Sequence, residues 1–99
     1  MTNAFGFVIV SDVVQEVPGL AIGPNAEPVV HHATIKRRDK EYVLLRAKKS
    51  NKIYVEEVER NRATFVLKEI KSDAEWADVV RFCDAAGLLS MGTETKYAD

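Results

Sequence analysis

Between residues 29 and 70 four segments rich in β-branched and aromatic residues are separated by three short polar loops. The segments cover residues 29–37, 41–48, 52–58 and 62–70, and each shows partial alternation of apolar and polar positions. The loops between them, Arg38-Asp39-Lys40, Lys49-Ser50-Asn51 and Glu59-Arg60-Asn61, are three residues long. Connections this short join only antiparallel neighbours, because a parallel crossover needs a dozen or so residues. The pattern therefore predicts an antiparallel β-meander. Its registers follow from the loops: Ile35 opposite Val43, Ala33 opposite Leu45, Ala47 opposite Ile53, Val55 opposite Phe65. The last residue of such a loop takes the left-handed conformation, which asparagine tolerates at Asn51 and Asn61.

The segment Phe5-Gly6-Phe7-Val8-Ile9-Val10 is apolar on both parities and predicts a further strand covered on both sides. Pro18-Gly19, Gly23-Pro24 and Pro28 then punctuate a stretch that still carries Val13, Val14, Val17, Leu20 and Ile22. Residues 11–28 are expected to form an ordered connection laid against the protein, with one helical turn after Ser11. Near the C-terminus, Ser72 followed by Glu75 is a capping box. Trp76, Val79, Val80, Cys83 and Ala86 recur at helical spacing, Phe82 lies on the flank, and Gly87 supplies the stop. Leu88, Leu89 and Met91 extend the apolar character, as a short strand or as packing under the helix, and residues 93–99 read as a loose tail. The fold class expected is α+β, an antiparallel meander of four to five strands with the C-terminal helix packed on one face, as a single domain over residues 1–99.

The expected registers divide the apolar residues between two faces. Ala33, Ile35, Val43, Leu45, Ala47, Ile53, Val55, Phe65 and Leu67 meet the helix. The second face receives Tyr42, Leu44, Tyr54, Val58 and Val66 among charged neighbours, and Leu44, Tyr54 and Val66 are expected to form a patch for self-association. Charge is uneven along the chain. Eight basic residues fall between Lys36 and Lys52 against Asp39 and Glu41, although the whole chain has a net charge of −1. Arg37, Arg38, Arg46, Lys48, Lys52 and Tyr54 are thereby the candidate contacts for a nucleic acid or another anionic partner, since basic side chains track phosphates and aromatic rings stack bases.

No spacing dictates a chemistry. His31 and His32 are adjacent, so on a strand they point to opposite faces and cannot share a metal; no metal site and no cofactor is expected. Cys83 sits within the apolar stripe of the helix, which suits a structural thiol. Of Glu56, Glu57 and Glu59, the last two lie near a turn where solvated acids are ordinary, and Glu56 falls among the charges on the second face; nothing gives them environments that would separate an acid from a base. No catalytic residue is assigned, and catalysis is the less favoured function. A single cysteine, a first basic residue only at Lys36 and the lack of a long apolar run suit a cytoplasmic protein not held in a membrane. Two functional readings follow. One is a small non-catalytic interaction module that forms a homodimer and offers a basic sheet face. The other is a small enzyme or ligand-binding protein whose pocket is lidded by residues 11–28.

Overall fold

The computed structural model describes residues 5–88. Six strands, β1 (Val8–Ser11), β2 (Gln15–Ile22), β3 (Glu27–Arg37), β4 (Lys40–Ala47), β5 (Ile53–Asn61) and β6 (Thr64–Glu69), precede one helix, α1 (Asp73–Ala85). The strands form a single antiparallel sheet in the order β1-β3-β4-β5-β6, with β2 also paired to β3. The chain is thus an α+β fold, a meander closed by a C-terminal helix, as the loop spacing predicts. The further strand or packing expected around Leu89 and Met91, and the tail, lie outside the described residues.

β1 and β2 lie end to end along one edge of β3: Ile9 faces Ile35, Gln15 faces His31, and Ile22 faces Glu27. Most of residues 11–28 is therefore strand, not the connection with a helical turn expected after Ser11. The turn signals were real but act inside a strand. The register shifts between Glu16 and Ala21, where Pro18-Gly19 interrupts the ladder and Gly19 adopts φ +84°. An edge strand tolerates a proline and a bulge because no ladder bond is required on its outer side. The N-terminal segment also differs from expectation. Phe7 is buried, but Val8, Ile9 and Val10 of β1 are exposed rather than covered on both sides.

All three hairpin registers differ from the expected ones. Arg37 pairs with Lys40, so the first loop is Arg38-Asp39, with Arg38 at φ +59°. Asn61 pairs with Thr64, leaving the loop Arg62-Ala63, with Arg62 at φ +57°. In the middle loop the Ala47 amide donates to the Lys52 carbonyl, which encloses Lys48, Lys49, Ser50 and Asn51. Asn51 there takes φ +62°, the conformation anticipated for it. The Glu27 carboxylate accepts from the Lys49 and Ser50 amides at 3.1 and 2.7 Å and fixes this loop from across the sheet.

A shift of one residue turns a strand over. Leu44 faces Val55 and Leu45 faces Tyr54, so Tyr42 and Leu44 lie under α1 while Val43, Leu45 and Ala47 lie on the second face. The core consequently has two layers. On the helix face Ala33, Ile35, Tyr42, Leu44, Ile53 and Val55 meet Val79, Phe82 and Cys83, with Phe7 closing the end. On the second face Ile22, Val29, Val43, Leu45, Ala47 and Tyr54 form their own cluster, flanked by Val17, Leu20, Val58 and Leu67. A bulge between His31 and Ala33 lets β3 serve both layers.

The helix begins as the sequence predicts: Ser72 is the N-cap and its hydroxyl accepts from the Glu75 amide. The Glu75 carboxylate instead accepts the Tyr42 hydroxyl and the Lys40 ammonium, tying the first turn to β4. At the other end the Leu88 amide donates to the Cys83 carbonyl and the Gly87 amide to that of Asp84, a Schellman closure with Gly87 at φ +76°.

Candidate functional site

The residues expected to meet an anion do not share one face. Arg37 stacks over the Phe7 ring at 4.4 Å and donates through one nitrogen to the Phe5 carbonyl and to Asp78. Arg46 lies on the helix side of β4, where it donates to His32 Nε2 at 3.1 Å and to Asn51. Lys48 pairs with Glu16. Tyr54 is buried on the second face with its hydroxyl against Gly23; a Cβ there would sit 2.6 Å from the phenolic oxygen. Arg38 and Lys52 are exposed at loop positions. The shared basic and aromatic face depended on the expected registers and is absent with them.

The expected self-association patch is likewise dispersed. Leu44 is 1% exposed beneath the helix, Tyr54 is 4% exposed on the opposite face, and Val66 stands 56% exposed on β6. Alternation along β6 puts Phe65 and Leu67 toward the second face and Val66 away from it.

The two histidines do point apart. His32 is buried and neutral, its pKa lowered by burial and by the neighbouring charge of Arg46. His31 bridges the Val13 carbonyl at 2.9 Å and the Thr34 hydroxyl at 2.8 Å. Nδ1 must carry the proton to donate to a carbonyl, which leaves Nε2 to accept from Thr34. Burial pushes the Cys83 thiol up to about 12, so it is a core residue rather than a nucleophile. Among the described residues no group of three or more His, Cys, Asp or Glu side chains is placed to hold a metal ion. No helix there is long and apolar enough to cross a membrane.

The second face instead carries a trough. Its floor is Val43, Leu45 and Val58; β2 supplies one wall through Val17 and Leu20, and β6 the other through Phe65 and Leu67. Side chains from opposite margins of the sheet line one cavity of about 250 Å³, so the sheet curls across this face. A second opening of about 460 Å³ shares Leu20, Phe65 and Leu67 and continues the trough to Ile22, Gly23, Ala26 and Glu56. The sequence places a pocket under residues 11–28 on the second face, but it puts Val43 and Leu45 of the floor on the helix face, because β4 is read with the opposite parity.

The polar groups at the two ends differ. At one end His31 and Thr34 satisfy each other, and Arg60 grips Glu41 through two bonds of 2.9 and 2.7 Å. Those bonds hold the Glu41 carboxyl below its usual range. At the other end Glu56 Oε2 is buried with no hydrogen-bond partner among the described residues. Burial, with Glu69 directly across the ladder, pushes the Glu56 carboxyl up to about 7.

A pH dependence follows. The folded carboxyl at about 7 binds its proton more tightly than the unfolded one at 4.5. Its contribution to stability is present at low pH and is lost as pH rises through that interval. Glu56→Gln is expected to unfold at higher urea than the parent at pH 8, with the gap narrowing by pH 5. Paired urea titrations at the two pH values check this; a gap that widens toward pH 5 contradicts it. Comparison of the chain with protein-family models, with curated proteins and with solved structures found no match.

Proposed function

We propose that the chain is a self-associating interaction module and that β1 makes the contact. The observation that carries this reading is the outer edge of β1. Val8, Ile9 and Val10 are 65, 40 and 58% exposed, Val13 and Val14 extend the apolar surface, and no described strand pairs on that side. An unpaired edge offers free amides and carbonyls, and edges left open in this way are normally blunted by charge, proline or a bulge. Residues 5–11 carry no charged side chain and no proline, and the edge is interrupted only by the register shift between Ile9 and Ser11. The edge is suited to addition of a strand, and a second copy is the occupant that fits best. Antiparallel pairing of two β1 strands about a two-fold axis sets Val8 of one copy against Val10 of the other, with no like charges opposed.

Sedimentation equilibrium of the parent chain is expected to give the mass of two chains at micromolar concentration. Changing Val8→Lys together with Val10→Lys places like charges opposite each other across the axis. Both positions are exposed, so the double variant should sediment as one chain while its thermal unfolding stays close to the parent's. A parent that sediments as one chain, or a double variant that remains paired, overturns the proposal.

A further inference from the structure

We infer that the trough on the second face is a binding site for a small hydrophobic amine, with the apolar body along Leu20, Phe65 and Leu67 and the ammonium group at Glu56. The inference is independent of self-association through Val8, Ile9 and Val10, which lie outside the trough's lining.

The body of the ligand is set by the walls. Along both openings the lining is mainly aliphatic and aromatic, and the floor residues Val43 and Leu45 belong to the second-face core cluster. Cavities of this composition gain affinity from apolar contact and take orientation from a small number of polar groups.

The head group is set by the polar atoms that the protein leaves unmatched. His31, Thr34, Glu41 and Arg60 are matched to one another or to backbone, Ser11 accepts from the Val13 amide, and Gln15 is exposed to water. Glu56 lines the trough, and its Oε2, a buried atom, has no hydrogen-bond partner among the described residues. An acceptor without a partner calls for a donor, since a buried polar atom left unpaired costs more than a bond contributes. Glu69 stands across the ladder from Glu56, and neither carboxyl has an ion-pair partner among the described residues. Two neighbouring carboxyls favour a positive charge between them and disfavour a carboxylate or phosphate ligand. A compact ammonium with three donors meets both requirements.

The test uses three probes that share one hydrocarbon chain: hexylammonium, 1-hexanol and hexanoate, titrated into isotopically labelled protein at neutral pH. Hexylammonium is expected to shift the amide signals of Leu20, Ile22, Phe65 and Leu67. It should bind about tenfold or more tightly than hexanol, the margin that a charge-assisted hydrogen bond provides. Hexanoate should bind more weakly than either. In Glu56→Gln the preference for the amine over the alcohol should collapse to about twofold or less, because the charged acceptor is gone. Leu20→Trp, which fills the cavity and leaves Glu56 in place, should weaken all three probes together. Equal affinities for amine and alcohol, shifts centred elsewhere, or an amine preference that survives in Glu56→Gln would each overturn the assignment.

Discussion

Leu44→Glu is expected to leave the chain unfolded at neutral pH, whereas on the registers expected from sequence it would only have split a dimer. Leu44 is 1% exposed between Val55 and the helix-facing core. Removing such a side chain to alanine costs about 2–5 kcal/mol through lost burial and the cavity left behind. A glutamate adds the burial of a carboxylate among Ile53, Val55 and Val79 without a cation to meet it, a penalty of several kcal/mol more. The sum is comparable to the whole stability of a small domain, about 5–15 kcal/mol. Circular dichroism of the purified variant decides the matter. A folded Leu44→Glu chain with native-like unfolding would mean that Leu44 faces outward after all.

The error that this substitution exposes has a specific physical origin. Tyr42, Val43, Leu44 and Leu45 are consecutive, apolar and all buried, at 1, 7, 1 and 2% exposure. A strand covered on both sides has no polar parity, so nothing in its own sequence says which residues meet the helix. The loops had to decide, and they contain no glycine to mark the turn type. Arg38 and Arg62 occupy the positive-φ position of two-residue loops, a place where glycine or asparagine is the usual signal. Reading each loop as three residues moved β4 by one position and β6 by more. Local signals succeed at Ser72, which caps the helix, at Asn51, which adopts its left-handed turn, and at Gly87, which closes the last turn. They fail at Asn61, which pairs with Thr64 at the end of β5 while Arg62 takes the left-handed conformation.

The candidate site was less legible than the fold because it depends on curvature. From sequence Glu56 is one of the charges rimming the second face, with nothing to mark it as buried. Its altered ionisation arises first from burial, on a face where Leu20 and Ile22 arrive from more than thirty positions earlier, and then from Glu69, set opposite it because β5 continues to Asn61. The exposed edge of β1 had the opposite history. Its composition was plain, but the choice between a covered central strand and an open edge is settled by topology, not by composition.

Phe82→Ala is expected to be the most damaging truncation on the helix, at about 3–5 kcal/mol, and to exceed Trp76→Ala. Helical spacing alone makes Trp76 the first residue of the apolar stripe and sets Phe82 on its flank. The structure reverses that weighting. Phe82 is 7% exposed, and its ring lies 5.1 Å from that of Phe7, which in turn meets the Tyr42 ring edge-on at 5.9 Å. These three rings join the helix to β4 and to the segment that enters β1, so one deletion loosens contacts from three parts of the chain. Trp76 is only partly buried, at the margin of the same cluster and one turn from the N-cap. Removing it exposes less apolar surface and leaves Tyr42 bound to Glu75, the contact that holds the first turn. Urea unfolding of the two variants beside the parent gives the comparison. A Trp76→Ala cost equal to or above that of Phe82→Ala would return the anchor of the helix to Trp76 and remove the aromatic triplet from the account of how α1 is held.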